Sequence, residues 1–310
     1  MSLNFTEHKV PYIDLGDGYQ ICLQDRCCAH GPEIERQARQ KINETPENVE
    51  RGMKEMHRLV AADPALYVPT ELEWYLKVYL RASKFDAKEA FSTVQSNAKL
   101  KMKNPEYFVT PVDVRHVYEE ELIWVLPERN HDGAVVVVIE SGKRWKTSKV
   151  SLVELNAAVN AVIAVLAHSE EAQLHGCILL FDMEGLSMSH IMQFTPKATG
   201  IMLTLIEKCS PVRVLTTQTI NTSAVYNFLF AIIKPLQSKR MREISILHGR
   251  DLTNLSKYIS PEILPPRFGG TSKAPHCDGR LFAELMMQYD SWMKTTLLPF
   301  GYTRKSSISS

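Results

Sequence analysis

The chain has 310 residues and a mass of 35.2 kDa, which allows one large domain with a smaller one, or two of equal size. Apolar residues make up 45% and charged residues 23%, ordinary values for a globular protein that exclude disorder as the main state. Lys and Arg number 36 against 35 Asp and Glu, so a basic field over the whole molecule, as nucleic acid binding needs, is excluded. Any electrostatic function must come from a local patch.

The cysteines form neither C-x-x-C pairs nor zinc-finger spacings with histidines, which predicts free thiols in a reducing compartment. They are Cys22, Cys27, Cys28, Cys177, Cys209 and Cys277. Residues 1–11 are polar and do not form a signal peptide, and no apolar stretch reaches the ~20 residues of a bilayer span. We therefore expect a soluble, cytoplasmic protein with no metal site.

The first part of the chain is predicted to be mostly helical after a weakly patterned start. Residues 1–45 are interrupted by Gly16 and Gly18, and we expect a loop-rich extension with one short polar helix at 33–42. Residues 46–108 have apolar side chains at helical spacing between capping residues, which predicts a small domain of three helices. The predicted N-caps are Thr45, followed by Pro46 at the first helical position, then Thr70 and Asp86.

After residue 111 the pattern changes to alternating strands and helices. The predicted strands are continuous apolar runs at 134–139, 177–181, 212–220 and 243–247. The predicted helices cover 151–168, 196–209, 222–233 and 280–297. Alternation of this kind indicates an α/β layer with a largely parallel sheet.

Enzyme motifs are absent from the sequence: there is no G-x-S-x-G, G-x-G-x-x-G, phosphate-binding loop or H-E-x-x-H. Asp182 and Glu184 end a predicted strand, at an edge where many α/β enzymes hold catalytic carboxylates. We interpret Asp182 as a turn residue, and His190 and His248 as hydrogen-bonded structural histidines. An enzyme that uses Asp182 or His190 is the least favoured alternative.

The predicted helix 222–233 is apolar around most of its circumference, so it is either buried on all sides or meets lipid on one side. A cationic segment follows it, with a single acid, Glu243. Its basic residues are Lys234, Lys239, Arg240, Arg242 and Arg250. An apolar helix beside a cationic turn suits contact with an anionic membrane, and a solvated helix end whose cations complement the helix dipole is the simpler alternative.

Several short motifs occur in a fixed order along the second half of the chain. They are Phe181-Asp182-Met183-Glu184-Gly185, Pro211-Val212-Arg213, Ile233-Lys234-Pro235, Leu247-His248-Gly249 and Phe268-Gly269-Gly270. Together they resemble the CRAL-TRIO lipid-binding domain, most closely the branch of alpha-tocopherol transfer protein, cellular retinaldehyde-binding protein and clavesin. Upstream, the run from Tyr79 to Asp86 is similar to the helical region that precedes this domain in the family.

The resemblance implies an α/β fold in which a mainly parallel sheet floors an apolar pocket, with a helical gate at 221–236 and a small all-α domain in front. The expected divisions are an extension at 1–45, the helical domain at 46–108, the lipid-binding domain at 109–272, and a C-terminal helix and polar tail at 273–310. It also implies an intracellular carrier rather than an enzyme, one that binds a tocopherol, retinoid, carotenoid or phospholipid and exchanges it at anionic membranes. The alternative is a membrane-trafficking adaptor or lipid sensor whose bound lipid is structural or regulatory.

Family positions carried over to this sequence give two sets of site residues. The expected lipid pocket consists of Asn156, Val159, Ile163, Leu179, Phe181, Phe194, Met202, Leu205, Ile206, Val212, Val214, Thr217, Phe228, Ile232 and Ile233. The expected headgroup site, for an anionic lipid such as a phosphoinositide, consists of Lys84, Arg213, Lys239, Arg240 and Arg242. The tocopherol-binding relative has serines where this chain has Val159 and Ile163, so Asn156 and Asn160 are the candidates for polar contacts with the ligand.

Overall fold

The computed structural model describes residues 1–25, 31–68 and 73–302. The strands are β1 (Ser2–Phe5), β2 (Pro11–Gly16), β3 (Tyr19–Cys22), β4 (Leu66–Tyr67), β5 (Ile123–Val125), β6 (Val135–Glu140), β7 (Cys177–Asp182), β8 (Val214–Ile220), β9 (Ser245–Leu247) and β10 (Gly301–Tyr302). The first helices are α1 (Pro32–Ile42), α2 (Pro46–Ala61), α3 (Glu73–Ala82), α4 (Ala87–Lys103), α5 (Arg115–Glu119), α6 (Leu152–Leu166) and α7 (Glu170–His175). They are followed by α8 (Met188–Ile191), α9 (Pro196–Thr204), α10 (Ala224–Ile233), α11 (Lys239–Ile244), α12 (Gly279–Met287) and α13 (Asp290–Trp292). Short 3-10 or π turns lie at Pro105–Tyr107, Leu205–Cys209, Lys234–Leu236, Thr253–Lys257, Pro266–Phe268 and Met293–Leu297.

The centre of the molecule is a five-stranded sheet in the order β5-β6-β7-β8-β9. Strands β6 to β9 are parallel to one another, and β5, which the sequence analysis did not predict, pairs antiparallel with β6 at one edge. The β-branched residues of β6 are buried along its whole length, as expected for a strand covered on both faces. The predicted α/β class with a mainly parallel sheet is confirmed.

The two faces of the sheet pack against different layers. Alternate residues of β6 and β7, such as Val137 and Leu179, join the core that the sheet forms with α6. The intervening residues, such as Val138 and Leu180, pack against the segment at 252–268 on the other side. Because successive side chains of a strand point to opposite faces, this alternation fixes which residues meet the helical side.

The helices of the first part form a second core, and two of their predicted N-caps are confirmed. The Thr45 hydroxyl accepts the Asn48 N–H at 3.2 Å, and a carboxylate oxygen of Asp86 accepts the N–H groups of Lys88 and Glu89 at 3.0 Å each. The predicted cap Thr70 and the cysteines Cys27 and Cys28 lie outside the described residues.

The expectation of a loop-rich extension is wrong for the described part of residues 1–45. The predicted short helix is present as α1, but β1, β2 and β3 form an antiparallel sheet ahead of it. Residues Ile13 and Leu15 of β2 are buried, and β1 and β2 lie against α12. The predicted helix at 280–297 is also interrupted, because α12 ends at Met287 and a short α13 and a π turn follow.

Two cations, the buried Arg81 and the partly buried Lys101, connect helices of the first part of the chain to α7 and to the residues after α13. Arg81 on α3 donates to both carboxylate oxygens of Glu44 at 2.9 Å and to the Gln173 side chain of α7 at 2.8 Å. The Lys101 amine on α4 donates to the carbonyl oxygens of Leu297 at 3.2 Å, Leu298 at 3.1 Å and Phe300. Burial lowers the pKa of Lys101 to about 8.

The cysteines within the described residues are free thiols, as expected, and three of them are buried. Burial raises the pKa of Cys177, Cys209 and Cys277 to about 12 in each case. These thiols are therefore protonated near neutral pH and are poor nucleophiles. Cys22, on β3, is half-buried.

An apolar cavity beneath helix α10

A cavity of about 100 Å³ lies between the sheet and helices α6, α9 and α10. Most of its wall is apolar, as is usual for small-molecule sites. The wall from α6 and the sheet consists of Leu152, Leu155, Asn156, Val159, Asn160, Ile163, Ile139, Ser141, Leu179, Phe181, Met183, Val214, Thr217, Thr219, Ser245 and Leu247. The rest consists of Phe194, Met202, Leu203, Leu205, Ile206, Ser210, Tyr226, Phe230, Ile233, Gln237 and Met241.

The floor and one wall follow from the local sequence. Leu179 and Phe181 of β7 are two residues apart and so face the same side of the sheet, and Thr217 and Thr219 continue that face on β8. On α6 the lining residues recur at helical spacing along one stripe. Helix α6 begins with a capping box: Ser151 and Glu154 each accept the other's backbone N–H, at 3.2 and 2.8 Å.

Helix α10 forms the roof. Tyr226, Phe230 and Ile233 face the cavity, at positions i, i+4 and i+7 of the helix. Phe228 points the other way and has 64% of its surface exposed. Ahead of the helix, the Asn221 amide donates to Asp182 at 2.8 Å.

Most of the residues that the sequence assigned to the pocket do lie on the cavity wall. They are Asn156, Val159, Ile163, Leu179, Phe181, Phe194, Met202, Leu205, Ile206, Val214, Thr217 and Ile233. Three others do not: Val212 is buried in the core ahead of β8, Phe228 is on the outer face of α10, and Ile232 is off the inner stripe of that helix. Tyr226 and Phe230 take the inward positions of α10 that were expected for Phe228 and Ile232.

The polar groups of the wall are mostly hydrogen-bonded within the protein. Thr217 donates to the Ser245 hydroxyl at 3.2 Å, and the Gln237 amide reaches the same hydroxyl at 3.2 Å. The Asn160 amide donates to the Tyr107 carbonyl at 3.1 Å, which ties α6 to the turn after α4. Among the described residues, the fully buried side-chain atom of the wall without a hydrogen-bond partner is Asn156 Nδ2. None of the described lining residues is charged.

The residues considered for catalysis have structural partners. Asp182 accepts the Glu184 N–H at 3.0 Å as well as the Asn221 amide, which forms the turn after β7. His190 accepts the Ser187 N–H at Nδ1 and bonds the Trp145 carbonyl through Nε2 at 2.6 Å. His248 bonds the Gln218 side chain at 2.6 Å, and burial lowers its pKa.

These interactions agree with the interpretation of Asp182, His190 and His248 as structural residues. Within the described ranges, no group of three or more His, Cys, Asp and Glu side chains is arranged to hold a metal ion. In the same part of the chain, no helix combines the length and hydropathy that crossing a membrane requires.

The residues expected to bind an anionic headgroup fall into two environments. Lys239, Arg240 and Arg242 are exposed on α11, and Arg240 lies 3.5 Å from Glu89 in the first turn of α4. Lys84, also exposed, lies just ahead of that turn, so it is in the same region of the surface. The Arg213 guanidinium instead turns inward, is partly buried, and donates to the Leu174 carbonyl at the end of α7.

Large apolar side chains are exposed around α10. Besides Phe228 they include Leu236 after the helix, 41% exposed, Met188 of the adjacent α8, 55% exposed, and Met192 just after α8, 72% exposed. Isolated exposed apolar residues are common, but several around one helix that covers a cavity indicate a contact surface. We call Phe228, Met188, Met192 and Leu236 the outer apolar surface.

Comparison with protein families gives a match to the CRAL/TRIO domain over residues 119–270. That range contains the whole central sheet and α10. The segment from residue 119 to residue 270 is therefore similar to the CRAL/TRIO domain.

Two human proteins are similar in sequence to this chain. The human protein called alpha-tocopherol transfer protein-like is 28% identical over 272 residues, which cover 87% of this chain and 77% of that protein. Human clavesin-2 is 25% identical over 244 residues, covering 77% of this chain and 74% of the relative. A solved structure titled "Crystal structure of Sfh5" has a TM-score of 0.45 and 10% identity, covering 84% of this chain and 99% of that one. The match to the CRAL/TRIO domain supports a lipid-binding carrier role in general terms.

Proposed function

We propose that this protein carries one hydrophobic small molecule in the cavity beneath α10 and exchanges it at anionic membranes. The observation that carries the proposal is the cavity itself, which has an apolar wall and no charged side chain among the described lining residues. An apolar space within a packed core is costly when empty and favourable when filled by an apolar guest.

Helix α10, which covers the cavity, offers a route by which such a molecule would enter. A lipid tail in water costs about 0.8 kcal/mol for each CH₂ group, so direct desorption from a bilayer is slow. Displacement of α10 at the membrane surface lets the tail pass from bilayer to cavity without crossing water. The contacts of α10 with the rest of the protein are largely apolar, and its inner residues Tyr226, Phe230 and Ile233 also line the cavity.

The outside of the molecule suits this exchange. The outer apolar surface flanks α10 and would contact acyl chains, whereas the cations of α11 and Lys84 would attract anionic headgroups. Arg213 is left out of this docking surface, because its guanidinium bonds the Leu174 carbonyl. A phosphoinositide is one lipid that would meet both requirements.

A substitution that fills the cavity tests the carrier proposal. Val159 is half-buried on the α6 wall, and Val159→Trp places an indole in the space that the ligand would occupy. We expect the purified variant to contain far less extractable hydrophobic ligand than the parent, and to transfer it between vesicles at least about tenfold more slowly, since overpacking costs ~1–3 kcal/mol. Native mass spectrometry with solvent extraction measures the first, and a vesicle-to-vesicle assay the second.

Val112→Trp is the matched control, because Val112 is 43% exposed and lies away from the cavity. It should carry and transfer ligand as the parent does. A parent protein that purifies without a hydrophobic ligand and takes none from vesicles contradicts the proposal. A ligand that is bound but never exchanges supports the alternative, a lipid sensor or adaptor.

A further inference from the structure

A basic loop follows β6 and belongs to neither of the two expected sets of site residues. It covers residues 143–149, with four cations and no acid. The cations are Lys143, Arg144, Lys146 and Lys149, and all four are exposed. Like charges this close together repel one another, so their concentration in one exposed loop favours a partner of opposite charge.

Two of these cations are paired within the protein and two are not. The Arg144 guanidinium donates to Glu121, and the Lys149 amine donates to Glu120. In the described part of the chain, neither the Lys143 amine nor the Lys146 amine forms an ion pair. The loop therefore presents positive charge that an anion outside the protein can meet.

The loop is held against α8, which carries part of the outer apolar surface. The Trp145 carbonyl is hydrogen-bonded to His190 Nε2 at 2.6 Å, and the centres of the two rings lie 5.2 Å apart. The Lys143 backbone N–H donates to the Glu184 carbonyl, in the turn before α8, at 2.5 Å. Met188, two residues before His190, is exposed. The cations of the loop therefore border apolar side chains that would enter a bilayer.

The loop and α11 lie towards opposite ends of α10. The segment before α10 is joined to the turn after β7 by the 2.8 Å bond from Asn221 to Asp182, and that turn leads into α8. The other end of α10 continues through residues 234–236 into α11. Helix α10 has 10 residues, so about 15 Å of helix separates its two ends. The exposed Phe228 lies between them.

We propose that the loop at 143–149 is a second site for anionic headgroups, and that it and α11 together hold α10 along the membrane surface. This inference rests on the proposed function and deepens it, because it adds a contact at the α8 end of the outer apolar surface. Attachment through α11 alone would leave the molecule free to tilt about that point. A lipid surface is the partner that fits, because it offers anionic groups and apolar chains side by side.

Opposite changes of charge around the loop test the inference. We expect Lys143→Glu with Lys146→Glu to weaken binding to vesicles of phosphatidylserine and phosphatidylcholine at least about tenfold, because each nearby cation adds to the attraction. Glu184→Gln removes an exposed acid beside the loop and should strengthen this binding, a gain that a folding defect cannot produce. Binding to vesicles of phosphatidylcholine alone should stay as in the parent. Sedimentation of the full-length protein with each vesicle measures these effects.

Lys257→Glu with Lys273→Glu is the matched control, because it makes the same change in net charge and Lys257 lies on the other side of the sheet. An equal loss in this control overturns the inference, as does unchanged binding of the loop variant. If the loop variant binds as the parent does while Lys239→Glu with Arg242→Glu binds weakly, docking through α11 stands without the second site. A parent protein that does not bind anionic vesicles overturns both this inference and the membrane exchange in the proposed function.

Discussion

His168 shows how a single side chain can make this fold sensitive to acid. Its ring is stacked 5.4 Å from Trp74 of α3 and packs edge-on at 3.7 Å from Trp292 of α13, measured between ring centres. The Nε2 atom is buried without a hydrogen-bond partner. Burial between these rings lowers the pKa of His168 to about 4.

The unfolded chain takes up a proton at His168 near pH 6.5, and the folded protein only near pH 4, so stability is lost as the pH falls through this window. Between pH 7 and 5 this amounts to about 2 kcal/mol. We expect His168→Phe, which keeps a ring that cannot be protonated, to lose less stability over that interval by about this amount. Urea unfolding followed by circular dichroism at both pH values measures it.

In the His168→Phe variant, a second histidine, His175, keeps part of the acid sensitivity of the fold. The pKa of His175 is also lowered to about 4, first by burial and then by the Lys41 amine, which lies 2.7 Å from Nδ1. His8→Phe, on an exposed turn, serves as the control and should behave as the parent does. Equal pH dependence of His168→Phe and the parent would show that the stacked ring titrates no differently when the protein unfolds.

At the scale of one element, α10 has two different faces. The inner one carries Tyr226, Phe230 and Ile233 over the cavity, and the outer one carries Asn227 and Phe228, both exposed. Leu229 is fully buried and holds the helix to the core. Because Phe228 makes few contacts in the folded protein, its role can be tested by a substitution that hardly changes the stability of the fold.

We expect Phe228→Asp to reduce binding to anionic vesicles about tenfold, since full burial of a Phe side chain is worth ~1.5–3 kcal/mol and the new charge resists insertion. Its ligand content after purification should match that of the parent. Sedimentation with vesicles provides the measurement. Asn227→Asp adds the same charge to the neighbouring exposed position, so a similar loss in both variants would mean that charge alone, and not apolar insertion, is responsible.

Elements differ in how far the sequence could predict them. Helix α4 begins directly after its predicted cap, Asp86, because an N-cap Asp and an uninterrupted helical spacing act together. The β2–β3 hairpin was missed, although Asp17-Gly18 joins two segments with alternating burial and both residues have positive φ, 51° and 84°. That dipeptide is a strong hairpin signal, and treating Gly18 only as a residue that interrupts a loop overlooks it.

The site was predictable where one face of an element differs from the other. The α6 and β7 residues were placed correctly on the wall, because the residues on the opposite face of each element pack into other layers of the protein. On α10 the apolar residues surround the helix, so periodicity could not distinguish the inner face, and Phe228 was assigned inward. The missing partner of Asn156 depends on distances between elements, which no local pattern contains.

At the scale of the whole molecule, the exposed cations of α11 lie on the cavity side of the central sheet. Helix α11 supplies Lys239 and Arg242, and Met241 between them lines the cavity, so α11 belongs to the same side of the sheet as α10. The opposite side is covered by the segment with Leu255, where Lys257 is exposed. Because the net charge of the protein is only +1, we expect these cations to orient it at an anionic membrane more than they increase its overall attraction to that membrane.

Reversal of two charges on α11, Lys239→Glu with Arg242→Glu, should weaken binding to anionic vesicles at least about tenfold, because each nearby cation contributes ~1 kcal/mol. Binding should also become less sensitive to salt. The control is Lys257→Glu with Lys273→Glu, which makes the same change in net charge with Lys257 on the far side of the sheet. Equal losses of vesicle binding in the two double variants would mean that net charge, and not the position of the α11 cations, determines binding.

The sheet of β1–β3 lies against α12, and β10 pairs with β4, so segments more than two hundred positions apart along the chain are direct neighbours. During synthesis the early hairpin must therefore wait for its partner helix to leave the ribosome. Until then its apolar side has nothing to cover it, and newly made chains would depend on chaperones for longer than a protein built from sequential neighbours.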